Sequence, residues 1–162
     1  MPPRYDDTKK LVLSSVANVS EDMNNVTHQV PSEKYAPLTT REESFATLIV
    51  DAAFKVHKRL GPGLLERIYE VCFCYELEKL GLNIKRQVNI PIRYDDLEFD
   101  EGLRLDVLVE DSIICELKAV DKMNPVWTAQ VLSHLRMLDK RLGFLINFNV
   151  PKIKDGLKRI IL

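Results

Sequence analysis

Two short stretches, Leu103-Arg104-Leu105-Asp106-Val107-Leu108-Val109 and Ile113-Ile114-Cys115-Glu116-Leu117-Lys118-Ala119, decide how this chain folds. Apolar residues keep one parity in each, at Leu103, Leu105, Val107 and Val109 and again at Ile113, Cys115, Leu117 and Ala119. That period of two is the pattern of a half-buried strand. If the strands form a hairpin, both apolar sets must lie on one face, which fixes the pairing parity. Leu105 is then expected opposite Leu117, and Asp106 opposite Glu116, for a loop with an odd number of residues and no bulge. The same constraint gathers Asp106, Glu116 and Lys118 on the other face, with Arg104 and Glu110 sharing the parity of Asp106.

Outward from this pair, Ile84, Val88, Ile90 and Ile92 alternate as a preceding strand, and Asp95-Asp96 with Asp100-Glu101-Gly102 mark a polar hairpin region. Two helices come earlier. In the first, Phe45, Leu48, Ile49, Ala52, Ala53 and Val56 recur at steps of three and four. Gly61-Pro62-Gly63 breaks the chain, and the second runs from Leu64 to Leu80 with Leu64, Ile68, Val71 and Tyr75 on one stripe, before Gly81 as a left-handed stop. Downstream, Asn124-Pro125 reads as an N-cap and first helical position, opening a helix to about Lys140. Leu142 to Phe148 is an apolar run that suits a strand covered on both faces. Ile153 to Leu162 is left as a short helix or an edge element. The expected organisation is a flexible extension over residues 1–43 and one α/β domain over 44–162. For the extension, a partner-binding tail and a targeting piece also stay open, although Asp6, Asp7, Glu21 and Asp22 argue against a transit peptide.

Lys and Arg number 23 against 24 Asp and Glu, so net charge exerts no global pull toward nucleic acid. The C-terminal end is locally basic, with Lys140, Arg141, Lys152, Lys154, Lys158 and Arg159. Cys72, Cys74 and Cys115 match no metal-binding spacing and read as buried thiols in a reducing compartment. A signal peptide's order of charge, apolar run and small residues is absent from the N-terminus, and no apolar run reaches membrane-spanning length. A soluble cytoplasmic protein with no membrane partner is expected.

Two carboxylates and an ammonium on one sheet face have two readings. Carboxylate oxygens are preferred ligands of Mg²⁺ or Mn²⁺, and a neighbouring lysine can orient a water or offset charge on a phosphate. The alternative is a cross-strand salt bridge of Lys118 with Asp106 or Glu116. Periodicity alone favours the salt bridge.

Asp106 followed by Glu116-Leu117-Lys118 resembles the D…(D/E)-X-K signature of the PD-(D/E)XK nuclease superfamily. Gly63-Leu64-Leu65-Glu66-Arg67-Ile68-Tyr69 resembles the G-x-x-E-x-x-Y motif of the GxxExxY protein family. The likeness continues through Tyr75-Glu76-Leu77, Arg86-Gln87, Arg104-Leu105-Asp106, Ala129-Gln130 and Gly143 to Asn149, and covers roughly Ser44 to the C-terminus. It implies an αβββαβ core with a mixed sheet flanked by helices, and an extra N-terminal helix. It also implies Glu66, Asp106, Glu116 and Lys118 as the catalytic set, with Glu66, Asp106, Glu116 and the Leu117 carbonyl holding Mg²⁺ or Mn²⁺. Gln130 resembles the first residue of a Q-x-x-x-Y motif whose fifth position is here His134. Gln130, His134, Arg104 and Tyr69 are the implied substrate contacts. The implied activity is hydrolysis of phosphodiester bonds in DNA or RNA, with nucleic acid as partner and a homodimer or protein partner also expected. The alternative is a nuclease-like binding or regulatory module without turnover.

Overall fold

Thr39 opens the first element of the computed structural model, which describes residues 36–162. Its hydroxyl accepts from Glu42 N at 3.1 Å while the Glu42 carboxylate accepts from Thr39 N at 2.7 Å. This reciprocal box satisfies two otherwise orphaned donors and fixes the start of α1, Thr40–Leu60. The helix therefore begins ahead of the expected boundary at Ser44. The flexibility expected of the N-terminal extension concerns residues 1–35, which lie outside the described residues.

Gly61 and Gly63 turn the chain at positive φ into α2, Glu66–Lys79. Of the expected stripe, Ile68, Val71 and Tyr75 lie on α2 and face outward, while Leu64 sits in the turn before the helix. The buried face carries Tyr69, Phe73, Cys74 and Leu77 together with Glu70 and Glu76. Helical periodicity could not choose between them because α2 is apolar on both sides. The choice is made by Tyr69, whose ring stacks on Phe148 with centroids 4.8 Å apart and planes 4° from parallel.

β1 (Ile84–Tyr94) and β2 (Leu97–Val109) form a long antiparallel ribbon turning at Asp95-Asp96. Asp100-Glu101-Gly102 therefore lies within β2 and not in the hairpin turn. β3 (Ile113–Lys118), α3 (Pro125–Met137) and β4 (Leu142–Asn147) follow, with Asn124 Oδ1 accepting from Val126 N as the cap of α3. The tail supplies both of its alternatives, a single turn α4 (Ile153–Gly156) and the edge strand β5 (Leu157–Ile161). The sheet is mixed, in the order β1-β2-β3-β4-β5, with only β3 and β4 parallel.

Two apolar layers sandwich this sheet. On one face α1 and α2 cover Val107, Val109, Ile113, Cys115, Leu117, Leu142, Phe144 and Ile146. On the other, Val131 and Leu135 of α3 cover Ile114, Leu145, Ile160, Leu105 and Leu108. Gly143 lets α3 approach: a Cβ there would lie 2.8 Å from Val131 Cγ1. β3 and β4 are buried on both faces, as parallel neighbours under helices should be.

Asn147 ties the end of β4 to the chain leaving β3. Its Oδ1 accepts from Val120 N and Asn149 N, both at 3.1 Å, and its Nδ2 donates to Val120 O at 2.8 Å. With the side chain 1% exposed, Asn147→Ala leaves three backbone groups without partners away from water. Chemical denaturation should show a loss of roughly 2–4 kcal/mol, and Asn147→Asp a smaller one because two of the three bonds survive.

Candidate functional site

The β2–β3 ladder is short: Val109↔Ile113, Leu108↔Ile114 and Val107↔Cys115. Its loop is Glu110-Asp111-Ser112, an odd number of residues, with Glu110 and Asp111 both at φ 51°. Continued one step, the register sets Asp106 level with Glu116. There the ladder stops, and the Asp106 carboxylate takes over by accepting from Leu117 N at 2.8 Å. A side chain thus caps a backbone donor where one strand leaves its neighbour.

The departure is visible in β1 as well. Arg86 pairs with Val107 and Val88 with Leu105, and between them Gln87 sits at φ 50°. That left-handed conformation costs a residue with a Cβ on the order of 1 kcal/mol. Across Asp106 the facing of β2 changes. Val107 packs under α1 and α2, whereas Leu105 packs under α3. The uniform alternation expected from Leu103 to Val109 is therefore broken, because the irregularity at Gln87 and Asp106 turns the ribbon over.

Gln87 is held from below. Its Nε2 donates to Glu70 Oε2 at 2.7 Å, and Arg86 Nε donates to Glu70 Oε1 at 2.9 Å. Glu70 is buried on the inner face of α2. No role was assigned to Glu70 from the sequence. It stands one turn after Glu66, and four-residue spacing of two acids before an Arg-Gln pair was the available signal.

Glu116 and Lys118 project from β3 toward α3. Lys118 Nζ donates to Glu116 Oε1 at 2.6 Å and to the Leu117 carbonyl at 3.0 Å, and stands 5.5 Å from the centre of the Trp127 ring. Glu116 Oε2 is buried with no hydrogen-bond partner among the described residues. Burial, and then the Asp106 charge, push the Glu116 carboxyl above its ordinary range, with Glu66 adding to the effect and Lys118 opposing it. Burial likewise raises Asp106, against the Leu117 N–H and the Lys118 charge. Glu66 itself is exposed at the first position of α2, close enough to act on Glu116 through its charge.

The remaining expected contacts are dispersed. His134 is buried on α3, and burial followed by the Lys118 charge holds it below its ordinary pKa. Trp127, Gln130 and His134 share one helical face, and Gln130 is half-buried. Arg104 is exposed on the ribbon, beside a separate shallow cleft with Asn89, Gly102 and Leu103. Tyr69 is fully buried, and its hydroxyl donates to Gly61 O at 2.6 Å and accepts from Leu64 N at 3.1 Å. It clasps the loop before α2 and does not present its ring at the surface. Among the described residues, no three His, Cys, Asp or Glu side chains are gathered closely enough to hold a metal ion.

Residues 43–160 match the profile of the PD-(D/E)XK nuclease superfamily. The match covers well over half of the chain, and the protein belongs to that superfamily. Comparison with curated proteins and with solved structures gives no significant match. Among the described residues, no helix is long and apolar enough to cross a membrane.

The raised carboxyls have a consequence for stability. A carboxyl whose folded pKa exceeds its unfolded value binds more protons in the folded state, so it favours folding below about pH 4 and loses that contribution as pH rises through the folded pKa. Asp106→Asn removes this loss while Nδ2 or Oδ1 still fills the space. Thermal melts from pH 4 to 7 should show the difference between Asp106→Asn and wild type growing in the variant's favour as pH rises. A difference that is constant across the range would contradict a raised Asp106.

Proposed function

We propose that the protein is a divalent-metal-dependent nuclease hydrolysing phosphodiester bonds of DNA or RNA, with Glu66, Asp106, Glu116 and Lys118 as its working set. The observation that carries this reading is Glu116 Oε2, a buried carboxylate oxygen with no hydrogen-bond partner among the described residues, beside a second raised carboxyl. Burying such a group unsatisfied is costly, and folds retain that cost mainly where a ligand compensates it.

The donor set suits a hard cation. Asp106, Glu116 and the Leu117 carbonyl offer oxygen ligands, and Glu66 stands near enough to be recruited. Mg²⁺ or Mn²⁺ bound there would supply Lewis-acid stabilisation of phosphate charge and a water of lowered pKa. Lys118 now neutralises Glu116 and Leu117 O, the groups assigned to the cation. Its displacement from them frees an ammonium to hold the attacking water or to offset charge on the phosphate. Trp127 keeps that ammonium over its ring, a contact of about 0.5–2 kcal/mol in a half-buried setting. Gln130 and His134 line the α3 side and are assigned to the substrate. Arg104 reaches it only along the ribbon.

Within the superfamily we assign the chain to the GxxExxY type. The assignment is supported by how the motif works here: Gly63 turns the loop, Tyr69 clasps it, and Glu66 is delivered at the head of α2. The three free thiols suit the reducing cytoplasm, where we place the protein. A second reading, a nuclease-like module that binds without turnover, is favoured by the closed Lys118–Glu116 pair and, among the described residues, the lack of a gathered metal-binding trio.

The deciding experiment is a cleavage assay on labelled single- and double-stranded DNA and RNA with Mg²⁺, Mn²⁺ or EDTA. Metal-dependent cleavage should fall by about 100-fold or more in Lys118→Ala and in Asp106→Ala. Wild-type melting temperature should rise with Mn²⁺, and Asp106→Ala should lose that rise. Metal-induced stabilisation without cleavage of any substrate selects the binding module, and no response to metal in either assay rejects the site.

A further inference from the structure

A cleft of about 510 Å³ opens between α3 and the edge strand β5. Thr128 and Leu132 line it from the flank of α3 turned away from Trp127, Gln130 and His134. Leu132, Leu145 and Leu157 give it an apolar lining, and Asp155 and Lys158 stand in its walls. Its volume is that of a ligand pocket. None of these residues belongs to the carboxylate–lysine cluster.

The cations around the cleft differ from those elsewhere. Among the described residues, Lys55, Arg59 and Lys79 gather on Glu76, and Arg41, Lys85, Arg86, Arg93 and Arg159 each meet a carboxylate. Lys122, Lys152, Lys154 and Lys158 form no ion pair among the described residues. Lys122 precedes Met123, which lines the cleft at the head of α3. Lys152 and Lys154 belong to the turn α4, whose Asp155 and Gly156 line it from the other side. Asp121 already accepts from Asn149 Nδ2 at 2.7 Å, which leaves Asp155 against four ammonium groups.

The loops that carry these lysines are fastened to each other. Asn147 bonds both Val120 and Asn149 across the ends of β3 and β4, and Phe148 N donates to Lys118 O at 2.9 Å. They lie beyond the carboxyl ends of the parallel pair, where crossover units present their ligand-binding loops. Lys122 follows Lys118 by four residues, a reach of at most about 14 Å. Unpaired ammonium groups along a cleft suit a polyanion, and an apolar lining suits flat apolar surface. A duplex offers the first and hides the second inside its stack. A single strand offers both, because its bases can turn into the cleft while its phosphates stay at the rim.

We propose that this cleft is a track for single-stranded nucleic acid, with Lys122, Lys152, Lys154 and Lys158 on the phosphates and the leucines under the bases. The identity of the polymer rests on the nuclease reading, and the track supplies the grip beside Lys118 that the cluster itself lacks. Binding is separate from cleavage and is tested without metal.

The test is fluorescence anisotropy of a short labelled oligothymidine with the full-length chain in EDTA, over a range of salt. The strand should bind about tenfold or more tightly than its duplex, and than an abasic strand of equal length. Each of Lys122→Gln, Lys152→Gln, Lys154→Gln and Lys158→Gln should reduce the slope of log affinity against log salt by about 0.7, while Lys58→Gln on α1 leaves it unchanged. Ala129→Glu, at an exposed position of the lining, should abolish binding with an unchanged circular dichroism spectrum. A strand that does not bind, a duplex bound as tightly, or a slope indifferent to the lysines each overturns the proposal. Lysine-dependent binding without cleavage under any metal supports the track and rejects the nuclease. Cleavage without lysine-dependent binding keeps the nuclease and overturns the track.

Discussion

The contact between the Asp106 carboxylate and the Leu117 N–H is the constraint around which the rest of the site is arranged. A strand that leaves its sheet strands the backbone donors of its former neighbour, and a buried unpaired N–H costs about 1–3 kcal/mol. Here β2 parts from β3 beyond Val107 and continues as a long ribbon with β1. Asp106 fills the vacated bonding position. A carboxylate is better there than an amide, since an ionised acceptor makes the stronger bond. The cost is a charge at depth, and it appears as the raised pKa of Asp106.

That charge then shapes its surroundings. Glu70 is near enough that its carboxylate adds to the rise of Asp106, and Arg86 and the amide of Gln87 donate to Glu70. Gln87 reaches Glu70 from a backbone conformation that residues with a Cβ avoid. The strain and the unpaired Glu116 oxygen lie on opposite sides of Asp106, one on each neighbouring strand. Destabilising features concentrated at one end of an otherwise well-packed sheet are what a site under chemical selection looks like, because packing elsewhere supplies the stability they consume.

How much of this was legible in the sequence follows from which rules act locally. The β2–β3 register could be read because a one-residue slip would turn Glu116 into the apolar layer under α1 and α2, so the pattern of Ile113, Cys115 and Leu117 encodes it strongly. The order of elements was legible for the same reason, together with the caps at Asn124 and Gly81. The turning-over of β2 at Asp106 was not, since Leu105 and Val107 are both apolar and look alike whichever layer receives them. Glu70 escaped notice because a glutamate on a helix is ordinarily solvated, and its burial depends on Arg86 and Gln87 arriving from a different strand. The burying face of α2 was misjudged because Ile68, Val71 and Tyr75 form as regular a stripe as Phe73 and Leu77.

The two faces of α2 also explain why Tyr69 reads ambiguously. Nearly four turns of helix with apolar residues on two faces can rotate about their own axis at little cost in buried area, and such a rotation would carry Glu66 away from Glu116. Tyr69 removes that freedom with two unlike contacts at right angles to each other's purpose. Its ring is fixed flat on Phe148 at the end of β4, and its hydroxyl is fixed on Gly61 and Leu64 in the loop. Ring and hydroxyl together define the rotation and the height of the helix, and phenylalanine could define only one of them. Glutamate and tyrosine at three-residue spacing are therefore linked: the tyrosine, from inside the core, sets the direction in which Glu66 leaves the head of α2.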